Sequence, residues 1–424
     1  MPSIVMLIFT SIYGVVDGLF VSNFVGKTSF AAVNLIMPVL MILGCVGFMF
    51  GTGGGALIAM SLGEGKKEKA SHIFSFIVAF SAICGIVLGL LGIILIRPVA
   101  MMLGAEGKLL SDCVLYGRII LAALPFYILQ FEFQCLFATA GKPKLGLYVT
   151  VAAGVTNMAL DALFVGVFKW GVAGAAIATG LSQCIGGLLP FIYFLRPNNS
   201  LLRFVKTKIE FRPVIDASAN GASELVSNVT ASIVGMLYNY QLLKYAGEDG
   251  VAAYGTLMYV EFIFISAFIG YAIGSAPIIS YHFGADNHAE LKNMLKKSLI
   301  LMSLAGVAML IISEALAFPL AHIFVGYDEK LLEMTVHGFR VFSLMFPLAS
   351  INIFASSFFT ALNNGGVSAT ISFLRTFVFK LAAVLILPLL FKLDGIWWAT
   401  IVAELFAFLL SIGFVAAKKK KYGY

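Results

Sequence analysis

Charge is the scarcest feature of this 424-residue sequence: only 12% of residues are Asp, Glu, Lys or Arg, against 60% hydrophobic. Soluble domains carry roughly 25% charged residues, so this chain has too little polar material to cover a water-facing surface. Its mean hydropathy of +0.99 agrees. Cysteine is sparse as well. Cys45, Cys84, Cys113, Cys135 and Cys184 all fall in the first half, mostly inside apolar runs and without CxxC spacing. They read as small apolar fillers, not as a disulfide or zinc framework. The five His residues form no HxxxH or HExxH pattern, and no serine sits in GxSxG. The constellations that an intramembrane enzyme would need are therefore missing, and no cofactor is expected. "FGTGGGALIAMSLGEG" (50–65) lacks the GKS or GKT of a phosphate loop and reads as close helix packing. No basic n-region precedes the opening "MPSIVMLIFTSIYGVV", so no cleavable signal peptide is read. The abrupt apolar start suggests that a short N-terminal piece is missing.

What the sequence does have is apolar length. A membrane span needs about 20 apolar residues, and twelve such stretches are predicted: 2–25, 31–61, 72–97, 113–139, 145–168, 171–195, 216–245, 251–281, 294–320, 333–361, 367–391 and 394–417. Abundant Gly, 42 residues, suits closely approaching membrane helices. Pro2, Pro38, Pro125, Pro277, Pro347 and Pro388 are candidate kink points. Loops after the even-numbered spans, together with the tail "KKKKYGY", hold 17 Lys and Arg, whereas loops after odd-numbered spans hold six. The positive-inside rule then puts both termini in the cytoplasm, with the chain multi-pass in the inner (plasma) membrane. The net charge of +7 is spread over membrane flanks, which points to lipid headgroups and away from nucleic acid.

The two halves match at an offset of about 221 residues. Ser11, Ile12 and Gly14 recur as Ser232, Ile233 and Gly235; Gly63 maps to Gly284, Pro98 to Pro319 and Gly117 to Gly338. Six spans separate each pair, so the halves share one orientation and their pseudo-two-fold axis runs along the membrane normal. The expected fold is an all-α membrane protein of twelve transmembrane helices in two six-helix lobes. The N-terminal lobe is 1–195, the inter-lobe loop 196–213, the C-terminal lobe 214–417 and the basic tail 418–424. Two such bundles about a central cavity are the architecture of an alternating-access carrier.

Each lobe keeps its own buried polar residues. Asp17, Asn157 and Asp161 align with Tyr238, Val378 and Ala382, while Glu261, Arg375 and Glu404 align with Leu40, Gly154 and Gln183. At 1.5 Å per residue, Asp17 and Asp161 lie roughly 22 and 24 Å above the cytoplasmic ends of spans 1 and 5, and Thr179 roughly 12 Å below the outer end of span 6. All three can share one level, with Asn157 one turn below Asp161 on the same face. Two carboxylates, an amide oxygen and a hydroxyl can hold a small hard cation such as Na⁺. Close carboxylates in low dielectric also disfavour double ionisation, so the pair can equally carry a proton. Local capping by the two acids is the alternative. In the second lobe Arg375, Glu404 and Glu261 lie near the midplane, where Arg375 with Glu404 can be a structural ion pair or a substrate or gating element. Glu132 is expected to reach the interface at the end of span 4. Lys380 is left between a cavity charge and an acid's partner.

These residues resemble the multidrug and toxic compound extrusion (MATE) family, bacterial type. The resemblance rests on "PSIVMLIFTSIYGVVDGLFVSNFVG", "GTGGGALIAMSLGEGKKEKA", "FATAGKPK", "NMALD", "GAAIAT" and "GIWWATIVAE", in that order along nearly the whole chain. It implies a V-shaped central cavity and a monomer that exports amphipathic, often cationic, small molecules against an inward H⁺ or Na⁺ gradient. It also implies a cation or proton site at Asp17, Asn157, Asp161 and Thr179. Glu261, Arg375, Glu404 and Gln183 become cavity or gating candidates, and Pro2 matches a helix-1 bend. The helix-7 acid of one branch has no match near Tyr238, which favours coupling in the N-terminal lobe. A lipid-linked oligosaccharide flippase of the same superfamily is the competing expectation. It calls for a basic cavity, whereas Arg375 and Lys380 are the clear intramembrane bases against Asp17, Asp161, Glu261 and Glu404.

Overall fold

The computed structural model describes residues 1–20, 24–25, 27–207, 210–326 and 328–424. Its N-terminal lobe comprises α1 (Pro2–Phe20), α2 (Lys27–Gly63), α3 (Lys67–Met102), α4 (Gly107–Ala122), α5 (Leu124–Thr139), α6 (Pro143–Asp161) and α7 (Gly171–Leu195). The C-terminal lobe comprises α8 (Phe211–Gly284), α9 (His288–Val325), α10 (Glu329–Ser343), α11 (Phe346–Ala361), α12 (Gly365–Phe373) and α13 (Lys380–Tyr422). Two of these are double spans: α8 breaks at Gly247 (φ 65°) and α13 at Lys392 (φ 53°). The α4–α5 and α10–α11 pairs are each a single bent span, turning by 59° and 46°. Pro125 and Pro347 sit in the first turns beyond those bends, where a missing N–H costs nothing. Six crossings per lobe follow, near the predicted ranges. By length and composition alone, seven described helices can cross a membrane, or nine when each bent pair is one span. Counting the continuous α12–α13 run as two spans, with α1 and the first arm of α8, which carries Arg212, Asp216 and Glu224, completes the twelve.

The repeat is written into backbone turns as well as residue types. Gly65 (φ 76°) corresponds to Asp286 (φ 51°), and Gly171 (φ 60°) to Lys392 (φ 53°). The second lobe thus tolerates side chains in the left-handed region where the first uses glycine. The lobes meet along α2 and both arms of α8. A Cβ at Gly53 would overlap the Ala217 carbonyl, and one at Gly221 the Met49 carbonyl. Nearer the basic loops, a Cβ at Gly63 would overlap the Tyr281 carbonyl, and one at Gly284 the Met60 carbonyl.

Glu132 does not reach the interface. It is fully buried, and among the described residues neither carboxylate oxygen has a hydrogen-bond partner. The reason is that α5 lies inside its lobe, packed against α2, α3 and α7, and so has almost no lipid-facing side. Depth alone could not reveal that. Pro2 occupies the first turn of α1, where proline is compatible with a straight helix.

Candidate cation site and central charges

The N-terminal lobe brings Asp17 (α1), Asn157 and Asp161 (α6) and Thr179 (α7) together. Asp17 lies close to Asp161, Asn157 and Thr179. Asn157 Nδ2 donates to Thr179 Oγ1 at 3.5 Å. The site is dry: Asp17 is 7% exposed, Asn157 1% and Asp161 0%. Asp161 is the last α-helical residue before a π-helical stretch, Ala162–Val167. Such a widened turn is frequent at functional positions. Asp17 Oδ1, Asn157 Oδ1 and both Asp161 carboxylate oxygens have no donor among the described residues. Local capping is thereby excluded for Asp161, whose two oxygens bond to no backbone N–H. Four buried acceptors without donors are costly unless a proton or cation sits among them.

Two further side chains join this cluster that the sequence reading did not single out. Tyr116 of α4 is fully buried; its hydroxyl, without a hydrogen-bond partner among the described residues, lies close to Thr179 and both carboxyls. Tyr13, one turn before Asp17, lies between Asp17 and Gln130 of α5. A tyrosine in an apolar span gives no sequence signal, because core packing explains it equally well. Gln183 is buried on α7, its carbonyl oxygen without a partner among the described residues. Its repeat equivalent is Glu404.

In the C-terminal lobe, Arg375 Nε donates to both oxygens of Glu404 at 2.9 Å, and Asn352 Nδ2 donates to Glu404 Oε2 at 2.8 Å. Asn352 also caps the Glu404 carbonyl at 3.0 Å. Arg375 sits in a second π-helical stretch, Leu374–Phe379. A carboxylate satisfied by this many donors is built to stay put, unlike the Asp17–Asp161 pair. Glu404→Ala should therefore unfold the protein at markedly lower temperature. It strips the mostly buried Arg375 guanidinium of its hydrogen-bonded partner, at a cost of about 3 kcal/mol. Adding Arg375→Met should recover most of that loss, which thermal unfolding in detergent checks.

Glu261 makes no ion pair within 4.0 Å among the described residues; Lys380 is its main opposite charge, and Tyr238, bonded to Thr400 at 2.6 Å, lies nearby. The second arm of α8 thus holds Glu261, while the first arm holds an acid that the sequence reading missed. Glu224 faces Arg375 across the lobe and Cys45 and Cys135 across the lobe interface. It lies 14 residues before Tyr238. An acid sought only near Tyr238 is overlooked for that reason.

A twelve-span, two-lobe helical membrane protein with separate buried charge clusters in each half is the scaffold of a secondary carrier. The MatE family model matches residues 2–163 and 225–385, and the chain belongs to that family. It is 26% identical over 411 residues to the multidrug export protein MepA of Staphylococcus saprophyticus, covering 95% of this chain and 89% of that one. With MepA of Staphylococcus aureus strain NCTC 8325 it shares 27% over 413 residues at the same coverage. Among solved structures, a MATE protein in complex with MaL6 superposes with TM-score 0.93 at 21% identity, over 99% of this chain and 95% of that one. An outward-facing multidrug resistance MATE transporter of the MOP superfamily gives the same values.

Proposed function

We propose that the chain is a cation-coupled multidrug efflux antiporter that works by alternating access and exports amphipathic, cationic compounds. It acts as a monomer in the bacterial plasma membrane, with its basic loops and both termini in the cytoplasm. The carrying observation is the set of orphaned oxygens on Asp17, Asn157 and Asp161. A proton, or Na⁺ held by oxygen donors of this type, neutralises that set. Emptying it leaves two carboxyls facing each other in a dry lobe. Occupancy therefore has differential energy in two arrangements of the lobe, which is what coupling requires. The acids Glu224, beside the lobe interface, and Glu261, within the C-terminal lobe, favour cationic cargo over the pyrophosphate of a lipid-linked oligosaccharide.

Reconstitution tests this reading. Proteoliposomes loaded with a fluorescent cationic dye are given an imposed pH gradient or an imposed Na⁺ gradient. Dye movement should follow one of the two gradients and stop when it is dissipated. Movement indifferent to both gradients would refute coupling, and no movement of any cationic dye would refute the transport assignment.

A further inference from the structure

Two arginines that face the same groove on the side opposite the basic loops are not used by the function above. Arg97 lies near the end of α3, and Arg118 lies on α4. With Leu110, Ser111, Val114 and Leu115 they line a groove of ≈ 390 Å³. The α4 contributions recur at helical spacing, so they form one face. Both guanidinium groups are exposed, and among the described residues neither makes an ion pair. The nearby charged side chains do not balance them. Asp112 turns to α2, where it accepts the Ser29 hydroxyl at 2.8 Å; Glu106 and Lys108 are exposed at the helix start.

The repeat shows that the pair is a feature of one lobe. Pro98 and Gly117 match Pro319 and Gly338, so the frame is secure at both places. Yet Arg97 corresponds to Phe318, and Arg118 to Phe339. The second lobe carries two phenylalanines where the first carries two arginines. Its own nearby cation, Arg340, has Glu314 at 4.0 Å. An unpaired guanidinium on a membrane-facing surface is costly unless it snorkels or meets an anion. The 36 residues of α3 span about 54 Å, well beyond the roughly 30 Å hydrocarbon core. Arg97, about 8 Å from the end of α3, therefore lies near headgroup level. Arg118 lies deeper on α4 and lines the same groove.

We infer that this groove binds the phosphate of an anionic phospholipid in the outer leaflet: Arg97 and Arg118 grip the headgroup, and an acyl chain lies along Leu110, Val114 and Leu115. The leaflet follows from the orientation proposed above; the binding chemistry does not depend on it.

The test uses the full-length purified protein and reads lipid binding rather than transport. Phosphatidylglycerol and phosphatidylcholine compete for the tightest lipid site, followed by native mass spectrometry. Wild type should prefer phosphatidylglycerol by about thirtyfold, equivalent to about 2 kcal/mol for two basic side chains. Arg97→Gln with Arg118→Gln should lose that preference, and Arg340→Gln should keep it. Arg97→Lys with Arg118→Lys, which retains the charge, should keep most of it and guards against a misfolded Gln variant. An undiminished preference in the Gln variant would overturn the inference. Displacement of phosphatidylglycerol by inorganic phosphate would also overturn it, because the groove would then take a free anion and not a lipid.

Discussion

Asp161→Asn should abolish gradient-driven efflux while the protein accumulates to near-normal levels. Asn matches Asp in volume, and among the described residues Asp161 makes no side-chain hydrogen bond, so packing of α6 against α1 and α7 survives. What is lost is the second charge state. With Asp17 alone, the cluster has no carboxyl pair whose mutual repulsion is relieved by an ion, and binding no longer distinguishes two arrangements of the lobe. Coupled transport should fall on the order of a hundredfold, because removing about 3 kcal/mol of differential binding corresponds to two decades. Asp17→Asn should behave alike. Thr179→Ala removes one neutral donor and should weaken ion affinity with a smaller effect. Resistance assays in a drug-sensitive host, read beside protein levels, check all three. Full resistance in Asp161→Asn would remove this residue from coupling. Glu132→Gln is the informative control. It too alters a buried carboxyl of the same lobe, but Glu132 lies beside Ser81 of α3 and Cys135 and stands apart from the cluster, so coupling should persist.

Much of this arrangement was legible in the sequence, for identifiable reasons. Span number and range follow from apolar length, and lobe symmetry from glycines and prolines at a fixed offset; both are one-dimensional signals. The level shared by Asp17, Asp161 and Thr179 follows from helical rise, and Asn157 from its i, i+4 spacing. What could not be read is rotation about a helix axis. Glu132 lies near the end of its span yet is wholly enclosed, because α5 is surrounded by neighbours. Glu224 was overlooked because an acid was sought at one register of the first arm of α8, and helix packing presents a different register to the lobe interface. Tyr116 and Tyr13 were invisible because an aromatic in an apolar span has the same appearance whether it fills a core or supports an ion. The Arg375–Glu404 pair could be guessed from depth, but its satisfaction by Asn352 required a third helix.

A leucine at either Gly63 or Gly284 should hold the basic face open and stop transport. These two glycines are repeat partners, and so are Met60 and Tyr281, at the same offset of 221. The close approaches are Gly63 to the Tyr281 carbonyl and Gly284 to the Met60 carbonyl. Each is thus the pseudo-two-fold image of the other, as in a self-complementary interface. Gly53 and Gly221 continue the seam inward. Backbones this close exclude even a methyl group, and small residues are what permit such approach between membrane helices. A bulky side chain penalises the closed seam and leaves an arrangement with the lobes apart unaffected, so the population moves toward opening. Native thiols report the change. Cys45 and Cys135 are 3% and 4% exposed beside Glu224 at the lobe interface. Their labelling by an impermeant maleimide from the basic-face side should rise by about tenfold or more in either variant, a shift of roughly 1.4 kcal/mol. Symmetry adds a stricter demand: Gly63→Leu and Gly284→Leu should give similar increases. Gly14 and Gly235, also repeat partners, have no described atom within 4 Å of where a Cβ would go, so alanine there should leave labelling and efflux unchanged. A strong effect at Gly235 with none at Gly63 would mean that the seam between α2 and α8 is not the element that moves.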